Sequence, residues 1–206
     1  MTKIKICGIT NKVDAIAAAE LNVDMLGFVF YKKSKRYVTP AAAEDIINEL
    51  PPGIRKVGVF VGEKREDVIR IAEDAFLDTL QFHGDETSEY CASFRPKYKV
   101  IKAFRLKTKA DLKNVNDYDA DYYLFDSYEG DCPGGTGKTF DWNILKDFEI
   151  LKPVILSGGL KADNVERAIM EVAPFGVDVS SGIESAPGKK DTVLLKKFVE
   201  NVRKVQ

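Results

Sequence analysis

Lys3-Ile4-Lys5-Ile6-Cys7-Gly8-Ile9, the run from Asn11 to Leu21, and Met25-Leu26-Gly27-Phe28-Val29-Phe30 form the passage whose reading decides the fold. The first and third pieces are short and apolar with β-branched residues, the pattern of strands. Between them Val13, Ile16, Ala17 and Leu21 recur at helical spacing, which lays one apolar face along the segment. A strand followed by a helix is one βα unit, and Met25 to Phe30 opens the next.

Working outward, the same grammar repeats. Thr39 is placed to cap a helix with Pro40 at its first position, and Pro51-Pro52-Gly53 stops it. Ile54 to Val61 precedes a helix near Glu66 to Glu73, and Thr79 to Phe82 precedes one near Glu86 to Phe94, closed by Pro96. Tyr98 to Phe104 and Tyr122 to Phe125 are strands, with helices expected near Lys109 to Val115 and Trp142 to Phe148. Val154 to Leu156 and Val177 to Val179 complete the strands, followed by helices near Asn164 to Val172 and Thr192 to Val202.

Eight βα units without an antiparallel hairpin signal fit either a doubly wound sheet or a closed barrel, and periodicity does not choose between them. A unit of roughly 25 residues fits a compact (β/α)8 TIM barrel, a fold that commonly runs to about 250 residues. The expectation is a single catalytic domain over residues 1–206.

Composition narrows the partners. Lys and Arg number 31 against 32 Asp and Glu, which offers no electrostatic case for nucleic acid or an anionic membrane. Three cysteines at irregular spacing and one histidine argue against structural zinc and a disulfide framework. The N-terminus lacks a signal-peptide apolar stretch, and no run approaches the roughly 18 apolar residues of a membrane span. A cytoplasmic chain with a small-molecule ligand is expected; whether it is a monomer or a homodimer is not readable.

In a (β/α)8 barrel the chemistry sits on the loops after the C-terminal strand ends. Those ends carry Cys7, Arg36, His83 and Asp126, so a thiol, a guanidinium, an imidazole and a carboxylate converge on one face although they lie far apart in sequence. Each alone has a plainer reading. Cys7 suits core packing, Asp126 a turn that binds its own loop, and Arg36, among Lys32, Lys33 and Lys35, a solvated face. Leu156-Ser157-Gly158-Gly159-Leu160 and Ser180-Ser181-Gly182 read more sharply, as loops whose backbone N–H groups approach an anion beside a helix N-terminus; two tight turns are the plain alternative. Gly134-Gly135-Thr136-Gly137-Lys138-Thr139 has Cys132 where a nucleotide-binding P-loop needs glycine, and reads instead as a loop closing over substrate.

Taken in order, Lys5-Ile6-Cys7-Gly8-Ile9-Thr10, Gly27-Phe28-Val29-Phe30 with Ser34 and Arg36-Tyr37, Gln81-Phe82-His83-Gly84-Asp85-Glu86, Phe125-Asp126-Ser127, the Gly134 to Trp142 stretch, Leu156 to Leu160 and Asp178 to Asp191 resemble the phosphoribosylanthranilate isomerase family across nearly the full chain. Phe82 departs from the resemblance, standing where an aliphatic residue is more usual.

The resemblance implies an Amadori rearrangement of a phosphorylated amino-sugar on the route to tryptophan, without cofactor or metal. It implies Asp126 as the acid that opens the furanose ring and Cys7 as the base at the sugar C2. It implies phosphate on Gly158, Gly159, Ser180, Ser181 and Gly182, the anthranilate carboxylate on Arg36, and substrate contacts from His83, Asp178 and Gly135. An aspartate must then be held above the ordinary carboxylate range, and the thiol below its own. Two alternatives stand beside this one. A related histidine-pathway aminoaldose isomerase would pair two aspartates and take a bis-phosphorylated ligand, and a silent barrel would bind a phosphorylated sugar without turnover.

Overall fold

Asn11 ends the first loop and caps the first helix, its side chain accepting the Asp14 backbone N–H at 2.9 Å. Thr39 does the same for Ala42 at 3.2 Å with Pro40 at the first helical position, as the sequence predicts. The structure, a computed structural model, describes residues 1–127, 139–146 and 148–205. In chain order it runs β1 (Lys3–Cys7), α1 (Lys12–Glu20), β2 (Met25–Val29), α2 (Pro40–Ile47), β3 (Arg55–Phe60), α3 (Arg65–Asp74), β4 (Thr79–Phe82), α4 (Ser88–Ala92), β5 (Lys99–Leu106), β6 (Tyr122–Ser127), β7 (Val154–Leu156), α5 (Val165–Val172), β8 (Gly176–Val179), β9 (Glu184–Ala186), β10 (Lys189–Lys190) and α6 (Thr192–Lys204).

Parallel pairing settles the choice that periodicity leaves open. β1 bonds to β2 through Cys7 and Gly27, and on its other side to β8 through Ile4 and Val177. The eight strands therefore close into a parallel barrel, which leaves none of β1 to β8 as an edge strand.

Strand alternation sorts the apolar residues into two cores. Ile4, Ile6, Leu26, Phe28, Leu80 and Phe125 face outward and are sealed by the helices. Met25, Val57, Ile101, Ala103, Leu124 and Ile155 fill the barrel interior, and Cys7, Val29 and Val59 form a smaller cluster beside Tyr31. Phe82 has a physical account as well. It is fully buried, its ring centroid 5.0 Å from Phe94 and 5.3 Å from Tyr90, so the outer core around α4 is built from aromatic rings.

Three expectations are corrected. The segments near Lys109 to Val115 and Trp142 to Phe148 form short 3-10 turns, Lys109–Leu112, Val115–Asp117 and Trp142–Leu145, in place of α-helices. Each is too short to present a full apolar face, so little drives continuation. The helix after β7 does not adjoin the glycine loop; it begins at Val165, and Asn164 reaches back to bond the Gly159 carbonyl at 2.9 Å. Finally, an antiparallel hairpin does occur. β9 and β10 pair through Ala186 and Lys189 around Pro187-Gly188, with Gly188 at φ +79°, a turn signal already present in the sequence. Thr10 bonds the Gly188 carbonyl and Asp14 accepts the Lys190 backbone N–H at 2.7 Å, which docks the hairpin beside the end of β1. No helix among the described residues is long and apolar enough to cross a membrane.

Candidate active site

One pocket at the C-terminal ends of the strands is lined by all the residues singled out in the sequence except Gly135. Gly135, with the rest of residues 134–138, lies outside the described residues.

Cys7 is the last residue of β1 and Asp126 the fifth of β6; both are nearly buried, with their edges in the pocket. The plain reading of Asp126, a turn residue that binds its own loop, is realised. Its Oδ1 accepts the Ser127 backbone N–H at 2.8 Å, a turn bond that fixes the carboxylate, while Oδ2 lies 3.3 Å from His83 Nε2 without hydrogen-bond alignment. Gln81 Nε2 sits 3.1 Å from His83 Nδ1, so with the amide donating, the imidazole proton resides on Nε2 and faces Asp126. The structure therefore places His83 with the proposed acid, not with the thiol.

Gly158 shows why a glycine follows β7. Its φ is +82°, and a Cβ there would press on the Ser127 N–H and stand 2.8 Å from Asp126 Oδ1. Gly159 is also left-handed at φ +64°. Opposite, Ser180 leads into a short 3-10 segment, Ser181–Ile183, and a Cβ at Gly182 would collide with the Leu160 carbonyl, so the two loops meet backbone to backbone. Ser180 Oγ is buried and has no protein partner among the described residues. The two glycine-bearing loops and the unpartnered Ser180 hydroxyl thus line one side of the pocket.

Arg36 departs from its simplest expected role. Its Nε and Nη2 already bind Glu184 Oε1 and Oε2 at 2.8 and 2.7 Å, a fork-to-fork pair that leaves Nη1 as the guanidinium nitrogen without a partner among the described residues. The same Glu184 Oε1 accepts Lys190 Nζ at 2.9 Å, and Lys190 also donates to the Cys7 carbonyl at 2.6 Å. Asp178 is likewise engaged: Lys5 Nζ donates to its Oδ1 at 2.9 Å and Ser157 Oγ to its Oδ2 at 3.1 Å.

Electrostatics at the thiol run against the sequence expectation. Burial pushes the Cys7 thiol up from its ordinary value, and the ammonium groups of Lys5 and Lys190 only partly offset this. The thiol form is therefore favoured over the thiolate.

Sequence reasoning missed Lys5, Ser157, Glu184 and Lys190. For Lys5 a signal exists: a lysine between Ile4 and Ile6 shares its strand face with Cys7 two residues on, and a charge on an interior face of a barrel strand needs a partner there.

Comparison with known proteins agrees with the geometry. The model of the N-(5'-phosphoribosyl)anthranilate (PRA) isomerase family matches residues 4–201. An N-(5'-phosphoribosyl)anthranilate isomerase of Caldanaerobacter subterraneus subsp. tengcongensis is 50% identical over 205 residues, covering 100% of both chains. The crystal structure of the phosphoribosyl anthranilate isomerase of Thermotoga maritima superposes with a TM-score of 0.92 at 41% identity, covering 99% of this chain and 100% of that one. A further isomerase structure, in complex with reduced 1-(o-carboxyphenylamino)-1-deoxyribulose 5-phosphate, has a TM-score of 0.87 at 39% identity with the same coverage.

Proposed function

The chain belongs to the N-(5'-phosphoribosyl)anthranilate isomerase family of tryptophan biosynthesis, and on that premise we propose that its pocket carries out the Amadori rearrangement with Asp126 as acid and Cys7 as base. The substrate is N-(5'-phosphoribosyl)anthranilate and the product 1-(2-carboxyphenylamino)-1-deoxyribulose 5-phosphate. The observation that carries this reading is the shared pocket: a thiol from β1 and a carboxylate from β6 face one space that the glycine loops after β7 and β8 also line.

The chemistry follows from the residues. Phosphate sits on the backbone of Gly158, Gly159, Ser181 and Gly182 with the Ser180 hydroxyl, which fixes the sugar at one end. The anthranilate carboxylate takes the remaining edge of Arg36. Protonated Asp126 gives its proton to the furanose ring oxygen; the C1–O bond breaks and the anilino nitrogen lone pair forms the iminium. The His83 Nε2–H supports the carboxylate left behind. Cys7 thiolate then removes the C2 proton: an S–H bond forms as C2–H breaks, and the electron pair neutralises the iminium to an enolamine. Tautomerisation moves a proton from the C2 hydroxyl to C1 and yields the ketone. Atoms and oxidation level are conserved overall, so the reaction itself calls for no redox group.

A thiol where the histidine-pathway reaction would use a second aspartate favours the mono-phosphorylated substrate. A substrate panel tests this: anthranilate fluorescence falls when the chain meets N-(5'-phosphoribosyl)anthranilate generated in place, and the bis-phosphorylated aminoaldose gives no comparable turnover. Preference for the second substrate, or binding without turnover of either, would overturn the reading.

A further inference from the structure

Lys5 is completely buried inside the barrel, two residues before the thiol on the same strand face. Its Nζ donates to Asp178 Oδ1 at 2.9 Å, and Ser157 secures the other Asp178 oxygen. A buried ammonium is costly, and one counter-ion supplied by the adjacent strand β8, where Asp178 pairs in register with Lys5, satisfies only part of its donor capacity. Its charge also acts on Cys7, where it offsets part of the upward push that burial gives the thiol. In the neighbouring strand Gly27 pairs with Cys7, and a Cβ built on Gly27 would lie 2.9 Å from Cys7 Sγ and 3.1 Å from Lys5 Nζ. Thiol and ammonium thus flank one point above a bare Cα, and any larger residue there would wedge between them.

We propose that Lys5 is a positioning residue of the base: anchored by Asp178 and given room by Gly27, its ammonium holds Cys7 Sγ at the pocket floor and stabilises the thiolate. Lys5 stays protonated throughout; the proton that Cys7 receives comes from the substrate carbon. Of the other charged groups near the thiol, Lys190 also favours the thiolate, but less than Lys5 does. Lys190, on β10, spends its ammonium on the Cys7 and Ser180 carbonyls and on Glu184. Arg36, on the loop after β2, is held by Glu184, and Asp178, on β8, opposes the thiolate by its own charge.

The proposal rests on Cys7 as the base, and the test keeps the two apart. Iodoacetamide alkylation of the Cys7 peptide is followed by mass spectrometry against pH, with no substrate present, in wild type and in Lys5→Met. Because removing Lys5 strands a buried carboxylate, the paired neutral variant Lys5→Met/Asp178→Asn is measured alongside, with circular dichroism as the check on folding. Below the thiol pKa the alkylation rate follows the thiolate fraction, so loss of Lys5 slows it by about tenfold or more at a given pH. In turnover Lys5→Met lowers kcat at neutral pH, recovers in part as pH rises, and leaves KM within about twofold. Because Asp178 opposes the thiolate by its own charge, the double variant is compared with Asp178→Asn alone, and superimposable alkylation profiles of these two folded variants would overturn the proposal. A slowed profile together with full turnover by Cys7→Ser would keep the Lys5–Cys7 link and remove the base assignment instead.

Discussion

Glu184 grips Arg36 with both carboxylate oxygens, at 2.8 Å from Nε and 2.7 Å from Nη2, across 148 positions of the chain. The pair is nearly shielded from solvent, with side-chain exposures of 16% and 5%, and Lys190 shares the same carboxylate. Glu184→Ala leaves two buried cations without their anion, so a loss of about 3–5 kcal/mol in urea unfolding is expected. KM rises more than kcat falls, because the guanidinium is no longer aimed. A variant as stable as wild type, with unchanged KM, would contradict this account.

Gly158 is constrained twice, by its left-handed φ and by the backbone of β6 beside it. Gly158→Ala forces an alanine to φ +82° and presses a methyl on Ser127 and Asp126. The backbone strain alone is about 1–3 kcal/mol. Calorimetric titration with inorganic phosphate should show weakened binding, and kcat should fall because the acid is displaced; unchanged phosphate affinity and kcat would count against the proposed phosphate site.

His83 supports Asp126 without being the acid. His83→Ala should lower kcat on the order of 10-fold, less than the roughly 10²–10⁴ that a transferring group itself contributes. Steady-state kinetics decide, and a loss as large as that of an Asp126 variant would make the imidazole the proton donor.

Stability should fall at both extremes of pH. Burial pushes the Cys91 thiol up to about 12, and burial raises Cys7 as well. A raised thiol stabilises the fold fully below its unfolded value of about 8.5, and that contribution is lost as pH climbs through the folded one. At the acid end burial opposes ionisation of Glu86, but Lys102 and the Gly62 N–H outweigh it and hold the carboxyl below its usual range. Its contribution is present above about pH 4.3 and disappears as pH falls through the lower folded value. Thermal melts against pH should show a shallower alkaline decline in Cys91→Ala and a shallower acid decline in Glu86→Gln. Parallel curves for variants and wild type would reject these two residues as the source.

Much of the barrel is legible because its signals are local. The strands keep their apolar alternation, Thr39-Pro40 states a helix start, and the glycines after β7 and before Ile183 mark where backbone must come close. Closure of the barrel is not local: nothing in Lys3 to Cys7 names Gly176 to Val179 as its second neighbour. The charge pairs behind the site share this property. Lys5 and Asp178 are 173 positions apart, and Lys190 reaches Cys7 across 183. A residue run that includes Arg36 looks like a solvated face until the hairpin Glu184–Lys190 folds over it. That hairpin was within reach, since Pro187-Gly188 is a turn signal standing between two short extended segments.

The most direct test of the central claim is anthranilate fluorescence loss, with substrate generated in place from anthranilate and phosphoribosyl pyrophosphate, by wild type, Cys7→Ser and Asp126→Asn in one buffer. Wild type should turn over, and both variants should lose at least about 10²-fold in kcat while remaining folded. Turnover at the wild-type rate by either folded variant would contradict the assignment of acid and base.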